Sequence, residues 1–115
     1  MEEREEAVQQ IKFDDFDRCF LVVGQILECR KHPDADRLLI FQIDIGSEKR
    51  QIVSSIAEFY QPEELVGKKV VVLSNLKTAK FRGMESQGML LTGEWGDNQL
   101  RILEPGDIPV GTRIN

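Results

Sequence analysis

Leu38-Leu39-Ile40-Phe41-Gln42-Ile43-Asp44-Ile45 carries the clearest structural signal in the chain. Leu39, Phe41, Ile43 and Ile45 fall on one side of a period-two pattern, and Leu38, Ile40, Gln42 and Asp44 on the other. Successive side chains of an extended chain point to opposite faces, so this spacing predicts a strand with Phe41 turned inward. Gly46-Ser47 ends it, and residues 51–56 read as its hairpin partner. Upstream, Cys19 to Cys29 is a run of Leu, Val and Ile interrupted by Gly24, which predicts a strand with a bend or bulge at the glycine. The turn Lys31-His32-Pro33-Asp34-Ala35-Asp36 separates the two. Downstream, Pro62-Glu63-Glu64-Leu65 has the form of a first helical turn, with Pro at its start and Gly67 beyond its end. Residues 69–73, 88–95 and 100–103 read as further strands. Five or six short strands, with one helical turn before the fourth, predict an all-β fold. The matching architecture is a five-stranded OB-fold barrel.

The chain has 115 residues, enough for one domain. Residues 1–10 read as a polar lead or linker, and residues 11–115 as the domain itself. Just after the lead, Asp14 or Asp15 is expected to cap a short turn carrying Phe16, with Phe13 packing ahead of it. No apolar run approaches the roughly 20 residues of a membrane span. The acidic, polar start carries no secretory signal, so the expected location is cytoplasmic. Cys19 and Cys29 then read as idle thiols rather than a disulfide.

Charge is distributed unevenly. Residues 1–36 hold ten acids and five bases, residues 37–92 six acids and eight bases, and residues 93–115 four acids and two bases. The formal net charge of -5 therefore conceals one basic region, whose cations bunch at 49–50, 68–69 and 77–82. The last bunch lies in Asn75-Leu76-Lys77-Thr78-Ala79-Lys80-Phe81-Arg82-Gly83-Met84-Glu85-Ser86-Gln87-Gly88-Met89. Three cations within six residues, followed by a hydroxyl and an amide, suit a phosphate-bearing partner: Lys and Arg neutralise phosphates, while Asn, Ser and Gln hydrogen-bond sugars or bases. An ordinary solvated hairpin would carry the same residue types. Phe81 reads equally as a stacking platform or a core plug, and Met89 as a packing residue. Few other rings remain for base stacking, which points to recognition of folded RNA by backbone shape.

Catalytic and metal chemistry find little support. His32 is the single histidine and stands in an acidic turn, without a nucleophile and orienting acid around it. Cys19, Cys29 and His32 lack the spacing of a zinc site, which wants four ligands. No glycine-rich phosphate loop is present. No cofactor or metal is expected.

Six segments taken in order then resemble a known family. They are residues 11–16 (Ile-Lys-Phe-Asp-Asp-Phe), 23–26 (Val-Gly-Gln-Ile), 32–38 (His-Pro-Asp-Ala-Asp-Arg-Leu), 50–57, 62–69 and the segment 75–89. Together they are similar to the tRNA-binding domain at the C-terminus of bacterial methionyl-tRNA synthetases. That domain occurs also in stand-alone structure-specific tRNA-binding proteins and in cytokine-precursor cofactors of eukaryotic synthetases. The resemblance covers residues 11–115. It implies a non-catalytic OB-fold that binds the body of tRNA, in cis or in trans to a methionyl-tRNA synthetase. It maps the tRNA-binding surface onto Asn75, Lys77, Lys80, Arg82, Ser86 and Gln87, followed by Lys31, Arg37 and Arg50. It also implies a homodimer, paired through the N-terminal lead and the extension from about residue 96. A reading of a different class, a dimeric protein-interaction or export-chaperone-like peptide binder, suits the acidic surface and the apolar tail.

Overall fold

The long strand β1 (Leu21–His32) organises the molecule, whose computed structural model describes residues 8–115. The first seven residues of the expected lead lie outside this range. The Leu21–Gln25 half of β1 pairs antiparallel with β4 (Lys69–Leu73), and the Gln25–His32 half pairs with β2 (Ala35–Asp44). β2 in turn carries β3 (Lys49–Ser54), and β4 carries the two-residue strand β7 (Met89–Leu90). The sheet order is β3-β2-β1-β4-β7, with β10 (Arg113–Ile114) against the start of β1. The all-β expectation holds, and the arrangement is compatible with an OB-like barrel.

The break in β1 is not where the sequence suggested. Gly24 sits in an unbroken ladder opposite Val70, and the register slips between Ile26 and Glu28 instead. Gly24 is a matter of space: a Cβ there would come within 2.7 Å of Ile43 Cγ2. In β2, Leu39, Phe41 and Ile43 are fully buried, as their alternation requires, but Ile40 on the other face is buried too. With Ile26, Ile52, Leu65, Val70 and Val72, the inward-facing three form the core.

β3 and β7 do not complete a ladder between them. Side chains and one backbone bond fill the gap. The Gln87 N–H donates to the Gln51 carbonyl at 2.7 Å, the Gln51 N–H to Gln87 Oε1 at 2.9 Å, and the Val53 N–H to Ser86 Oγ at 2.9 Å. Strand-edge groups are thereby satisfied without a sheet partner.

Residues 88–95, expected as one strand, are two. The chain changes partner at Leu91, whose N–H donates to Val71 while its carbonyl accepts from Leu103. β7 thus stays with β4, and β8 (Thr92–Trp95) turns away to pair with β9 (Gln99–Ile102). The short helix α2 (Pro62–Leu65) starts at Pro62 as expected, and the Gln61 N–H donates to Glu64 Oε1 at 2.7 Å. In α1 (Phe13–Asp17) the acid that caps is Asp15, acting from the third helical position back onto the Lys12 N–H at 3.2 Å. Phe13, expected to pack, is 74% exposed.

The segment after residue 96 folds onto its own chain. Leu100 and Ile102 enter the core, and the Ile102 N–H donates to the Tyr60 hydroxyl at 3.1 Å. Near the end, the Gly111 N–H donates to the Val23 carbonyl and the Val23 N–H to that of Thr112. Arg113 donates to the Asp17 carbonyl at 2.7 Å and stacks its guanidinium 4.6 Å from the Phe20 ring centre.

Candidate nucleic-acid interface

The cationic segment is a hairpin in its own right. β5 (Ala79–Phe81) pairs with β6 (Met84–Ser86), and Arg82-Gly83 form the two-residue turn between Phe81 and Met84. Both turn residues have positive φ, 51° at Arg82 and 89° at Gly83, the signature of a type I′ hairpin whose twist matches its strands. Gly83 adopts this freely, whereas a left-handed Arg82 costs about 1–2 kcal/mol.

His32 holds that strained tip. Its ring is buried, its Nδ1 accepts the Asp34 N–H at 2.9 Å, and its Nε2 lies 3.0 Å from the Arg82 carbonyl. An acceptor at Nδ1 leaves the proton on Nε2, so Nε2–H donates to Arg82. The imidazole therefore ties the β1–β2 turn to the cationic turn, a positioning role that its candidacy as a ligand or base did not suggest. His32→Ala strands the Asp34 N–H and the Arg82 carbonyl, and is expected to destabilise the fold by about 1–3 kcal/mol. Urea unfolding checks this, and an unchanged midpoint would show that the brace is dispensable.

The nine residues picked from the sequence separate into two groups. Four are braces. Asn75 donates through Nδ2 to the Arg18 carbonyl at 2.7 Å and accepts the Phe20 N–H at Oδ1 at 2.9 Å. Ser86 is 3% exposed, accepting from Val53 and donating to the Gly88 carbonyl, so it has almost no surface to offer RNA. Gln87 is committed to Gln51 through both side chain and backbone. Arg50 donates from Nη1 to the carbonyls of Ser74 at 2.7 Å and Gln87 at 3.0 Å, and pairs through Nη2 with Glu48 at 2.7 Å.

The other five are exposed cations. Lys31, Lys77, Lys80 and Arg82 have no ion pair among the described residues, while Arg37 pairs loosely with Glu58 at 3.4 Å, where solvent screens the attraction. Arg37, Lys80 and Arg82 meet on one groove that Phe81 also lines. Phe81 is therefore no core plug, being 43% exposed, and Met89 is likewise 44% exposed rather than packed away. Gln51 was missed by sequence reading, although it joins Gln42, Glu85 and Gln87 beneath the hairpin.

The surface offers fixed positive charge and little reactive chemistry. Among the described residues, no three His, Cys, Asp or Glu stand together as a metal site. Cys19 and Cys29 are free thiols. Burial, aided by the Glu63 carboxylate, pushes the Cys29 thiol up to about 11, which keeps it protonated and unreactive near neutral pH. Among the described residues, no helix is long and apolar enough to cross a membrane.

A family model described as "Putative tRNA binding domain" matches residues 21–113. The chain belongs to this tRNA-binding domain family. It is 49% identical over 105 residues to the methionine–tRNA ligase of Thermotoga maritima, a match covering 91% of this chain and 17% of that protein. Against the methionine–tRNA ligase of Pyrococcus horikoshii it is 39% identical over 110 residues, covering 96% of this chain and 15% of that one. The domain thus spans about a sixth of the length of these curated relatives. Among solved structures, the MetRS related protein from Pyrococcus horikoshii superposes with a TM-score of 0.88 at 37% identity, covering 93% of this chain and 99% of that one. The chaperone CsaA from Bacillus anthracis superposes with a TM-score of 0.83 at 26% identity, covering 93% and 100%. In this tRNA-binding domain the braces and the exposed cations lie within the matched region.

Proposed function

We propose that the chain binds tRNA by shape and charge, making and breaking no bond. The observation that carries this is the β5–β6 hairpin, a cation-bearing tip fixed to the β1–β2 turn by His32 and set beside exposed lysines. A rigid array of cations suits the backbone of a folded RNA, because phosphate spacing is read without ordering the protein first. The family membership and the methionine–tRNA ligase relatives support the partner: the domain would raise the hold of a methionyl-tRNA synthetase on tRNA, in cis or in trans, in the cytoplasm. Apolar Ile11 and Phe13 just after the lead, with Leu103 and Ile108 after residue 96, are exposed and support pairing of two chains there. A dimer would set two weak patches on one tRNA and gain avidity.

The test is a titration with mixed tRNA, competed by single-stranded and plain duplex RNA, at about 50 and 200 mM salt. With about four phosphates contacted, affinity should fall with salt at a log–log slope of roughly -3 to -4. Binding that survives both competitors supports structure-specific recognition. Equal loss to any RNA would reduce the site to a generic basic patch.

The likeness to the CsaA chaperone supports a second reading, a dimeric protein-interaction module. Preference for unfolded polypeptide over tRNA at moderate salt would favour it.

A further inference from the structure

Beside the hairpin opens a groove of about 470 Å³, lined by Phe81, Leu38, Ser55, Arg37, Lys80 and Arg82, with Asp36 on its wall. A smaller cavity of about 260 Å³ shares Leu38, Ser55 and Phe81 and extends the space toward Met89. The larger volume is in the range of pockets that enclose small organic groups. Phe81 is its central feature. All three residues of β5 are exposed, so this ring serves no core, yet it stands in the open among three cations. Contact with backbone phosphates alone gives a phenyl ring nothing to do. An exposed ring flanked by Lys and Arg is the arrangement that stacks a base while neutralising its phosphate.

We propose that this groove takes one unpaired nucleobase of the bound RNA, stacked on Phe81 against Leu38, with its phosphate on Lys80 and Arg82. Ser55 offers a hydroxyl and Asp36 a carboxylate acceptor to the base edge. The charge balance of the lining, three cations to one acid, favours a nucleotide over an apolar peptide side chain. The left-handed Arg82 has its carbonyl on His32, so the tip beside the groove is set before RNA arrives. The inference rests on the tRNA-binding reading above and adds a base to what would otherwise be a backbone contact surface.

Stacking and phosphate contact separate by salt dependence. Phe81→Leu keeps an apolar side chain and removes the ring. It is expected to lower affinity for unfractionated tRNA about 5- to 100-fold while leaving the log–log salt slope unchanged. Phe81→Tyr keeps the ring and should bind within about twofold of the parent, whereas Lys80→Ala should reduce the slope by about 1. An unchanged affinity in Phe81→Leu would overturn the proposal. So would a loss accompanied by a shallower slope, which means that the hairpin has moved. Loss of unfolded-polypeptide binding with tRNA affinity intact would assign the groove to a peptide instead. If the parent binds no tRNA, the functional reading falls with it, an outcome distinct from the others.

Discussion

Alanine at Lys77, Lys80 and Arg82 together is expected to weaken tRNA binding roughly 10- to 100-fold at low salt, with the fold intact. Exposed ion pairs are each worth up to about 1 kcal/mol, and three such contacts sum to that range. The salt slope should flatten by about 2 to 3, since each lost phosphate contact removes about 0.9. Stability should barely change, because Lys77 and Lys80 are exposed and only the backbone of Arg82 is used by His32. Arg50→Ala is the necessary contrast. It deletes one charge rather than three, but strips hydrogen bonds from the carbonyls of Ser74 and Gln87, so its first effect is on unfolding. Measuring affinity and thermal unfolding on both variants separates cations that touch RNA from those that hold the protein. Parental affinity in the triple variant would mean that the hairpin is not the binding surface.

Those two classes of cation could not be told apart from the sequence, and the reason is physical. Charge is a property of residue type, visible one position at a time, so the basic region stood out against an acidic chain. Whether an amide or guanidinium is free depends on its partner, and the partners here are distant: Arg18 is 57 residues from Asn75, and Gln87 is 37 from Arg50. The fold was legible where burial repeats. β4 is buried over Val70, Val71 and Val72, and its apolar run marked its ends to the residue. β5 has no buried residue, hence no hydrophobic period, and its pairing surfaces only as an Arg-Gly turn. The split at Leu91 is equally silent, because a strand that changes partner keeps the same side-chain pattern.

Gly88 should prove the least replaceable residue of the cationic segment, although it carries no functional group. Its φ is +141°, a conformation that side chains rarely adopt, and an added Cβ would stand 2.9 Å from the Leu73 carbonyl oxygen. That oxygen belongs to β4, which pairs on one side with β1 and on the other with β7, so it cannot retreat. Strain and overpacking each cost about 1–3 kcal/mol, and Gly88→Ala should incur both. The expected loss of about 2–5 kcal/mol would lower the melting temperature by roughly 10 °C or more. Gly83 is the control within the same cationic segment: its φ is +89°, but a Cβ added there would meet no atom within 4 Å, so Gly83→Ala incurs strain alone. RNA binding should follow the same order. Gly88 adjoins Gln87 and accepts from Ser86, the two residues that hold the hairpin to β3, so displacing it shifts every cation on the tip. Equal melting temperatures for Gly83→Ala and Gly88→Ala would show that β4 yields after all, and that the hairpin is held by its turn rather than by its seam.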